Sequence, residues 1–235
     1  MTALAAPASA GSPPPRSIAL DYDRARATMV DGQVRPNKVT DPRIIGAMRL
    51  LPREAFLPEA LRPLAYLDTN LPLGRARVML EPMVAARLLQ IAQPRSGERA
   101  LVVGGGTGYL AAILSRCGVG VSLLDDDPAL LAIARVACAG EMPAIRIFEG
   151  DLRAGLPGGA PFDLVVVEGA AAAIPPALAS QLAPSGRIAA ILAAPDGMTR
   201  AVIAERTSAG LRAQPRFDCA TPMLPGLLAP PAFRF

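Results

Sequence analysis

The sequence predicts an α/β fold, a doubly wound and mostly parallel sheet of Rossmann-like form, with a helical N-terminal extension. Three observations carry this prediction. The run Leu101-Val102-Val103 breaks into Gly104, Gly105, Gly106 and Gly108, continues as an Ala/Leu/Ile segment, and returns to apolar residues ending in Asp125-Asp126-Asp127, which reads as strand, tight turn, helix, strand. Phe162-Asp163-Leu164-Val165-Val166-Val167 is a near-continuous apolar run of the kind buried on both faces of a parallel sheet. Strand and helix patterns then alternate as far as Leu192.

Taken in order, residues 1–17 are Ala, Pro, Ser and Gly with no long apolar core, and they read as a disordered tail rather than a signal peptide. Residues 18–98 form the helical extension. Helical spacing runs over residues 21–29 and 41–51, the second starting at Thr40-Asp41-Pro42 with a capping residue and a first-turn proline. Gln33-Val34-Arg35-Pro36-Asn37 between them reads as a loop, and Tyr22, Phe56 and Tyr66 as core anchors. Another helix is expected over residues 81–92. Residues 99–235 form the cofactor domain, with a helix opened by Pro128, a strand over 144–148, a short helix near 174–182 and a strand over 187–192.

The glycine turn implies a ligand. Glycine reaches backbone angles closed to other residues and lets a bound group approach the main chain. The helix that follows offers free N–H groups and the positive end of its dipole. Asp125 lies about 20 residues beyond the first glycine, the separation at which a second-strand carboxylate takes a ribose hydroxyl pair. A dinucleotide fingerprint needs a third glycine three places after the second, and Tyr109 stands there instead. Gly104-x-Gly106-x-Gly108 therefore suits a nucleoside ligand without a pyrophosphate, such as S-adenosylmethionine (SAM). The crevice of such a sheet opens at the carboxyl ends of its strands, which brings Asp151, after the third strand, to the same pocket. Asp126 and Asp127 read as loop caps or solvated charges.

Composition narrows the chemistry. The chain of 235 residues has no His and no Trp, which excludes His-based triads and His metal sites, and no metal is expected. Lys38 is the only lysine, the net charge is +4, and no basic run carries interleaved aromatics, so nucleic acid is not an expected partner. Cys117, Cys138 and Cys219 are widely spaced and odd in number, as buried reduced thiols in a cytoplasmic protein would be. No segment is long and apolar enough to span a bilayer, so no membrane is expected.

Together these pieces resemble the protein-L-isoaspartate O-methyltransferases over nearly all of the chain after the tail. Leu51-Pro52-Arg53-Glu54-Ala55-Phe56-Leu57-Pro58 is similar to the family's "VPR..F.P", and Ala65-Tyr66-Leu67-Asp68 with Leu71-Pro72-Leu73-Gly74 to its "AY.D..LPIG". Val103-Gly104-Gly105-Gly106-Thr107-Gly108-Tyr109 resembles "IGTGSGY", Gly150-Asp151 resembles "GD", and Pro161-Phe162-Asp163 with Val165-Val166-Val167 resembles "PFD.I.V". Pro184-Ser185-Gly186-Arg187 resembles "KPGGR". The glycine elements recur across SAM-dependent methyltransferases, whereas the N-terminal elements are specific. The resemblance implies methyl transfer from SAM to the side-chain carboxylate of isoaspartyl residues in damaged proteins. It places Gly104, Gly106 and Gly108, with Thr107 in the same turn, at the methionine end of the cofactor, Asp125 at the ribose, and Asp151 with Leu152 at the adenine.

Departures from the family cluster in one wall. Ala76-Arg77-Val78-Met79-Leu80-Glu81-Pro82 stands where the family has "GQTISQP", so Val78 and Leu80 replace hydroxyl residues. Val102 replaces the usual acid two places before the first glycine, and Val167-Glu168-Gly169-Ala170 replaces "VTAA". A carboxylate acceptor is already ionised at neutral pH and needs no general base, so no catalytic residue is assigned. Arg75 and Arg77 are either solvated or ligands for the acceptor carboxylate. SAM is expected to bind, and isoaspartyl methylation to be weak or absent compared with a relative that keeps its hydroxyls. The alternatives are a catalytically degenerate or substrate-altered SAM-binding scaffold and, against Tyr109, a nicotinamide-dependent oxidoreductase.

Overall fold

The computed structural model describes residues 21–141, 144–207 and 210–228; the expected tail lies outside them. Helices α1 (Tyr22–Met29) and α2 (Pro42–Leu50) open the extension, and the Asp21 and Asp41 carboxylates accept from backbone N–H groups of the first turns. The stretch read as a loop is helical: α1 runs into a π-helical turn at Val30–Val34 and a 3-10 turn at Arg35–Asn37. Irregular turns of this kind carry no 3.6-residue period, so the sequence pattern does not reveal them. A hairpin of β1 (Leu71–Gly74) and β2 (Arg77–Met79) follows, then α3 (Pro82–Ala92).

The doubly wound part consists of β3 (Arg99–Val103), α4 (Tyr109–Arg116), β4 (Gly120–Asp125), α5 (Pro128–Ala137), β5 (Arg146–Glu149), β6 (Phe162–Ala171), α6 (Pro176–Ser180) and β7 (Leu182–Ala193). Two strands that the sequence reading missed, β8 (Thr199–Thr207) and β9 (Gly210–Cys219), extend the sheet as an antiparallel pair. Strand order is β5-β4-β3-β6-β7-β8-β9, with parallel pairing from β5 to β7. The direction of winding reverses between β3 and β6, and a crevice for ligands opens there at the carboxyl edge. At the far margin, β9 carries Pro215, Arg212 and Arg216, and its register to β8 shifts at Ala201/Val202.

Alternation along the strands divides the interior in two. Ala100, Val102, Leu164 and Val166 face a core shared with α2, α3 and α4, whereas Leu101, Val103, Val165 and Val167 face a second core with Leu178 of α6 and Leu224. Arg53 fastens the extension to the sheet domain. It is fully buried, donates to Ala65 O at 2.7 Å and Leu80 O at 2.6 Å, and its guanidinium lies 4.8 Å from the centre of the Tyr109 ring. Phe56 meets the same ring edge-on at 5.3 Å. Tyr109 thus opens α4 as the anchor for the N-terminal segment. Tyr22 and Tyr66 are only half-buried.

Candidate functional site

The glycine turn follows β3, and its residues do different work. A Cβ on Gly108, whose φ is 92°, would lie 2.7 Å from Cys138 Sγ, so that glycine serves the packing of α5 against the turn. A Cβ on Gly104, with φ 70°, would lie 2.9 Å from a methyl of Leu224, which packs against the turn. Thr107 is buried within it. Gly106 N–H donates to Asp125 Oδ2 at 2.7 Å, which joins the ends of β3 and β4. The turn and the second-strand acid therefore meet at the switch point.

Asp125 is fully buried and its carboxylate is saturated. Oδ1 accepts from Arg77 Nη1 at 2.9 Å and from Asp127 N at 2.9 Å; Oδ2 accepts from Arg77 Nη2 at 2.5 Å as well as from Gly106 N. Arg77 also donates to Gly104 O at 2.9 Å and to Asp126 Oδ1 at 3.0 Å, and only 5% of it is exposed. Burial works against its charge, but the contacts with Asp125 and Asp126 outweigh that and raise its pKa. Arg75, in contrast, is 80% exposed and 3.9 Å from Asp127. Asp127 is the N-cap of α5, accepting from Ala129 N and Leu130 N.

Asp151 and Leu152 lie beyond β5. Asp151 is exposed and accepts from Arg153 N at 2.8 Å, while Leu152 is buried in the second core. Val78 is half-buried and Leu80 fully buried, so Leu80 faces packed side chains rather than an open wall. Glu168, on β6, was not singled out as a site residue. Desolvation pushes its carboxyl up to about 8, the Asp125 charge adding to the rise and Arg77 and Arg53 opposing it. Its Oε2, Arg53 Nη1 and Tyr109 Oη are buried atoms without a hydrogen-bond partner among the described residues. An acid that follows the apolar run Leu164 to Val167 within the same parallel strand is the signal that marks it.

The residue types at the switch point suit a nucleoside-bearing cofactor: a carboxylate at the end of β4, a glycine turn after β3, and a neighbouring acid just beyond β5. In this conformation the chain's own side chains take up the space. The cleft between Arg75, Arg77, Asp126, Asp127 and Pro225 holds about 130 Å³, below the ~300 Å³ at which ligand pockets begin. Residues 222–228 run across the crevice, tied down by Ala170 N to Pro222 O, Leu224 N to Ala170 O and Ala172 N to Leu227 O. A larger cleft of about 400 Å³ beside α1, lined by Tyr22, Pro63 and Tyr66 among others, has no residue of the glycine turn, Asp125 or Asp151 in its lining. Among the described residues no cluster of His, Cys, Asp and Glu could hold a metal ion, and no helix is long and apolar enough to cross a membrane.

Comparison with known proteins identifies the family and the fold. The family model described as protein-L-isoaspartate(D-aspartate) O-methyltransferase matches residues 25–214. A protein-L-isoaspartate O-methyltransferase of Methylorubrum extorquens (strain PA1) is 41% identical over 181 residues, 76% of this chain and 78% of the relative. Another, protein-L-isoaspartate O-methyltransferase 1 of Rhodopseudomonas palustris (strain HaA2), is 37% identical over 86% of this chain and 83% of its own length. Among solved structures, a protein-L-isoaspartate O-methyltransferase superposes with TM-score 0.74 at 22% identity, covering 86% of this chain and 67% of the other. A structure from Plasmodium falciparum in complex with S-adenosyl-L-homocysteine (SAH) gives 0.73 at 18% identity, covering 86% of this chain and 98% of the other. These two likenesses establish the fold.

Proposed function

The chain belongs to the protein-L-isoaspartate(D-aspartate) O-methyltransferase family, and from that premise we propose that it transfers a methyl group from SAM to the side-chain carboxylate of isoaspartyl residues in damaged proteins. One observation of the fold supports the reading most directly. The glycine turn and Asp125 meet at the switch point of the sheet through the 2.7 Å bond from Gly106 N–H. On this reading residues 99–235 are the cofactor domain and residues 18–98 carry the acceptor hairpin. The buried thiols of Cys117, Cys138 and Cys219 suit the cytoplasm.

Asp125 would hold the ribose, Gly104, Gly106, Thr107 and Gly108 the methionine end, and Asp151 with Leu152 the adenine. When bound, SAM supplies an activated methyl group on a good leaving group. The acceptor carboxylate is ionised at neutral pH, so the chain's contribution is alignment and exclusion of water rather than proton transfer. Glu168 suits that task. With its carboxyl raised to about 8 it is protonated at neutral pH, adds no negative charge beside an anionic acceptor, and has a proton to donate.

A methyl-transfer assay on an isoaspartyl peptide beside its aspartyl twin tests the proposal. Methyl ester on the isoaspartyl peptide alone is the expected result; no ester on either, under conditions where SAM is bound, would overturn it. In that event the family member that binds SAM without isoaspartyl turnover is the better reading. The loss of both hydroxyls at Val78 and Leu80 favours that alternative.

A further inference from the structure

The acceptor capacity of Asp125 is spent inside the chain. A carboxylate offers about four lone-pair sites, and the four bonds from Arg77 Nη1, Arg77 Nη2, Gly106 N and Asp127 N use them all. A ribose hydroxyl pair has nothing left to donate to while this arrangement holds. Two of the four bonds come from backbone that shapes the turn. The other two come from a side chain that has somewhere else to go, since Arg77 keeps Asp126, which is partly exposed, as a second acidic partner at 3.0 Å.

The hairpin that delivers Arg77 is itself under tension. Its two central residues, Arg75 and Ala76, have φ of 47° and 55°, the left-handed region in which a two-residue hairpin turn favours Asn-Gly. Non-glycine residues held there are strained, and such strain persists where surrounding contacts over-determine it. Side chains flanking the tip lie over the glycine turn, for a Cβ on Gly106 would come within 3.9 Å of Leu73 and 4.0 Å of Arg77 Nη2.

We propose that Arg77 is an internal competitor for the cofactor: its guanidinium takes the bonds of Asp125 that the ribose hydroxyls need, so that binding requires Arg77 to swing away, and this one side chain sets cofactor affinity. The proposal rests on the reading that an S-adenosyl group binds at Asp125, and goes beyond it by assigning the affinity-determining residue. It makes Arg77 a positioning residue whose departure rearranges the hairpin that borders the acceptor.

Calorimetric titration with SAH, of the whole protein and of its Arg77→Gln and Leu224→Ala variants, tests this. Arg77→Gln should bind SAH at least tenfold more tightly than the unmodified protein, and Leu224→Ala, which widens the crevice but leaves the ion pair, should gain less. Should Arg77→Gln fail to fold, the unmodified protein answers alone. The NMR signals of the Arg77 guanidinium, protected by its buried ion pair, should shift and lose protection when SAH saturates the site. Equal affinity in all three proteins, or guanidinium signals unmoved at saturation, would overturn the proposal and leave cofactor binding at the glycine turn standing. A gain in Leu224→Ala alone would assign the obstruction to the leucine and overturn it as well. No binding by any of the three at millimolar SAH would overturn the cofactor reading itself.

Discussion

Asp125 and Asp151 follow neighbouring parallel strands, and the same rule brought both to the crevice. The structure treats them in opposite ways. Asp125 is fully buried with four bonds, whereas Asp151 is exposed with one side-chain bond, to a backbone N–H two residues on. The rule locates where a carboxylate lies. Whether that carboxylate is free depends on a hairpin whose arginine is 48 positions away in sequence.

The sharpest way to break the comparison is to remove each acid in turn. Asp125→Ala leaves the Arg77 guanidinium buried without its main partner, and breaking one side of such a pair costs about 3–5 kcal/mol. Asp151→Ala should cost less than about 0.5 kcal/mol, as for most exposed positions. Denaturant midpoints at constant m-value measure both. Similar small losses would mean that the guanidinium resolvates easily and that the hairpin holds loosely.

Leu80→Ser comes next. Restoring the family's hydroxyl at Leu80 removes a fully buried side chain from the first core, at about 2–5 kcal/mol by analogy with leucine-to-alanine changes. The hydroxyl helps methyl transfer only if the core tolerates that loss, so stability and rate should be read on the same sample. A neutral effect on stability would place Leu80 on an open wall, contrary to its packing.

Glu168 gives a pH-dependent effect, read as a slope per pH unit. Its carboxyl is at about 8 in the folded chain against an ordinary 4.5, so the native state keeps a proton that the unfolded state releases. Its contribution is therefore most favourable below pH 4.5 and is lost as pH rises towards 8, with a slope of up to about 1.4 kcal/mol per pH unit. Glu168→Gln should flatten that slope in stability measured across the window. An unchanged profile would show that the group is charged and paired. Smallest is Ala76→Gly, which should stabilise by roughly 0.5–1 kcal/mol by relieving the left-handed turn. A loss in melting temperature would show that the turn is not strained.

The parallel half of the sheet was legible in the sequence because Leu101 to Val103 and Leu164 to Val167 are apolar and buried on both faces, with Gly104 after the first run and Pro161 shortly before the second. The antiparallel end was not. Thr199–Thr207 and Gly210–Cys219 mix Glu205, Arg206, Arg212 and Arg216 with apolar residues, as strands near a solvated margin do, and Pro215 argues against a strand at all. At the site, the glycine turn, Asp125 and the cap at Asp127 could be read because each obeys a local rule. The partner of Asp125 could not, since a long-range ion pair leaves no periodicity. A trace of it was present, for three consecutive acids closing a buried strand call for a cation, and Arg77 lies in the segment where the chain departs from its family.

The margin at β9 has a consequence for how molecules of this protein meet one another. An unpaired outer strand is a template on which another chain can add its own, the first step towards fibrils and tangled aggregates. Here Pro215 gives β9 a residue with no amide to donate, the register shifts beside it, and Arg212 and Arg216 put like charges on the strand. At the opposite margin β5 has only four residues to offer. Among the described residues the sheet thus stops at both sides in edges of this kind, and crowded copies of the chain have little purchase for growing one sheet into the next.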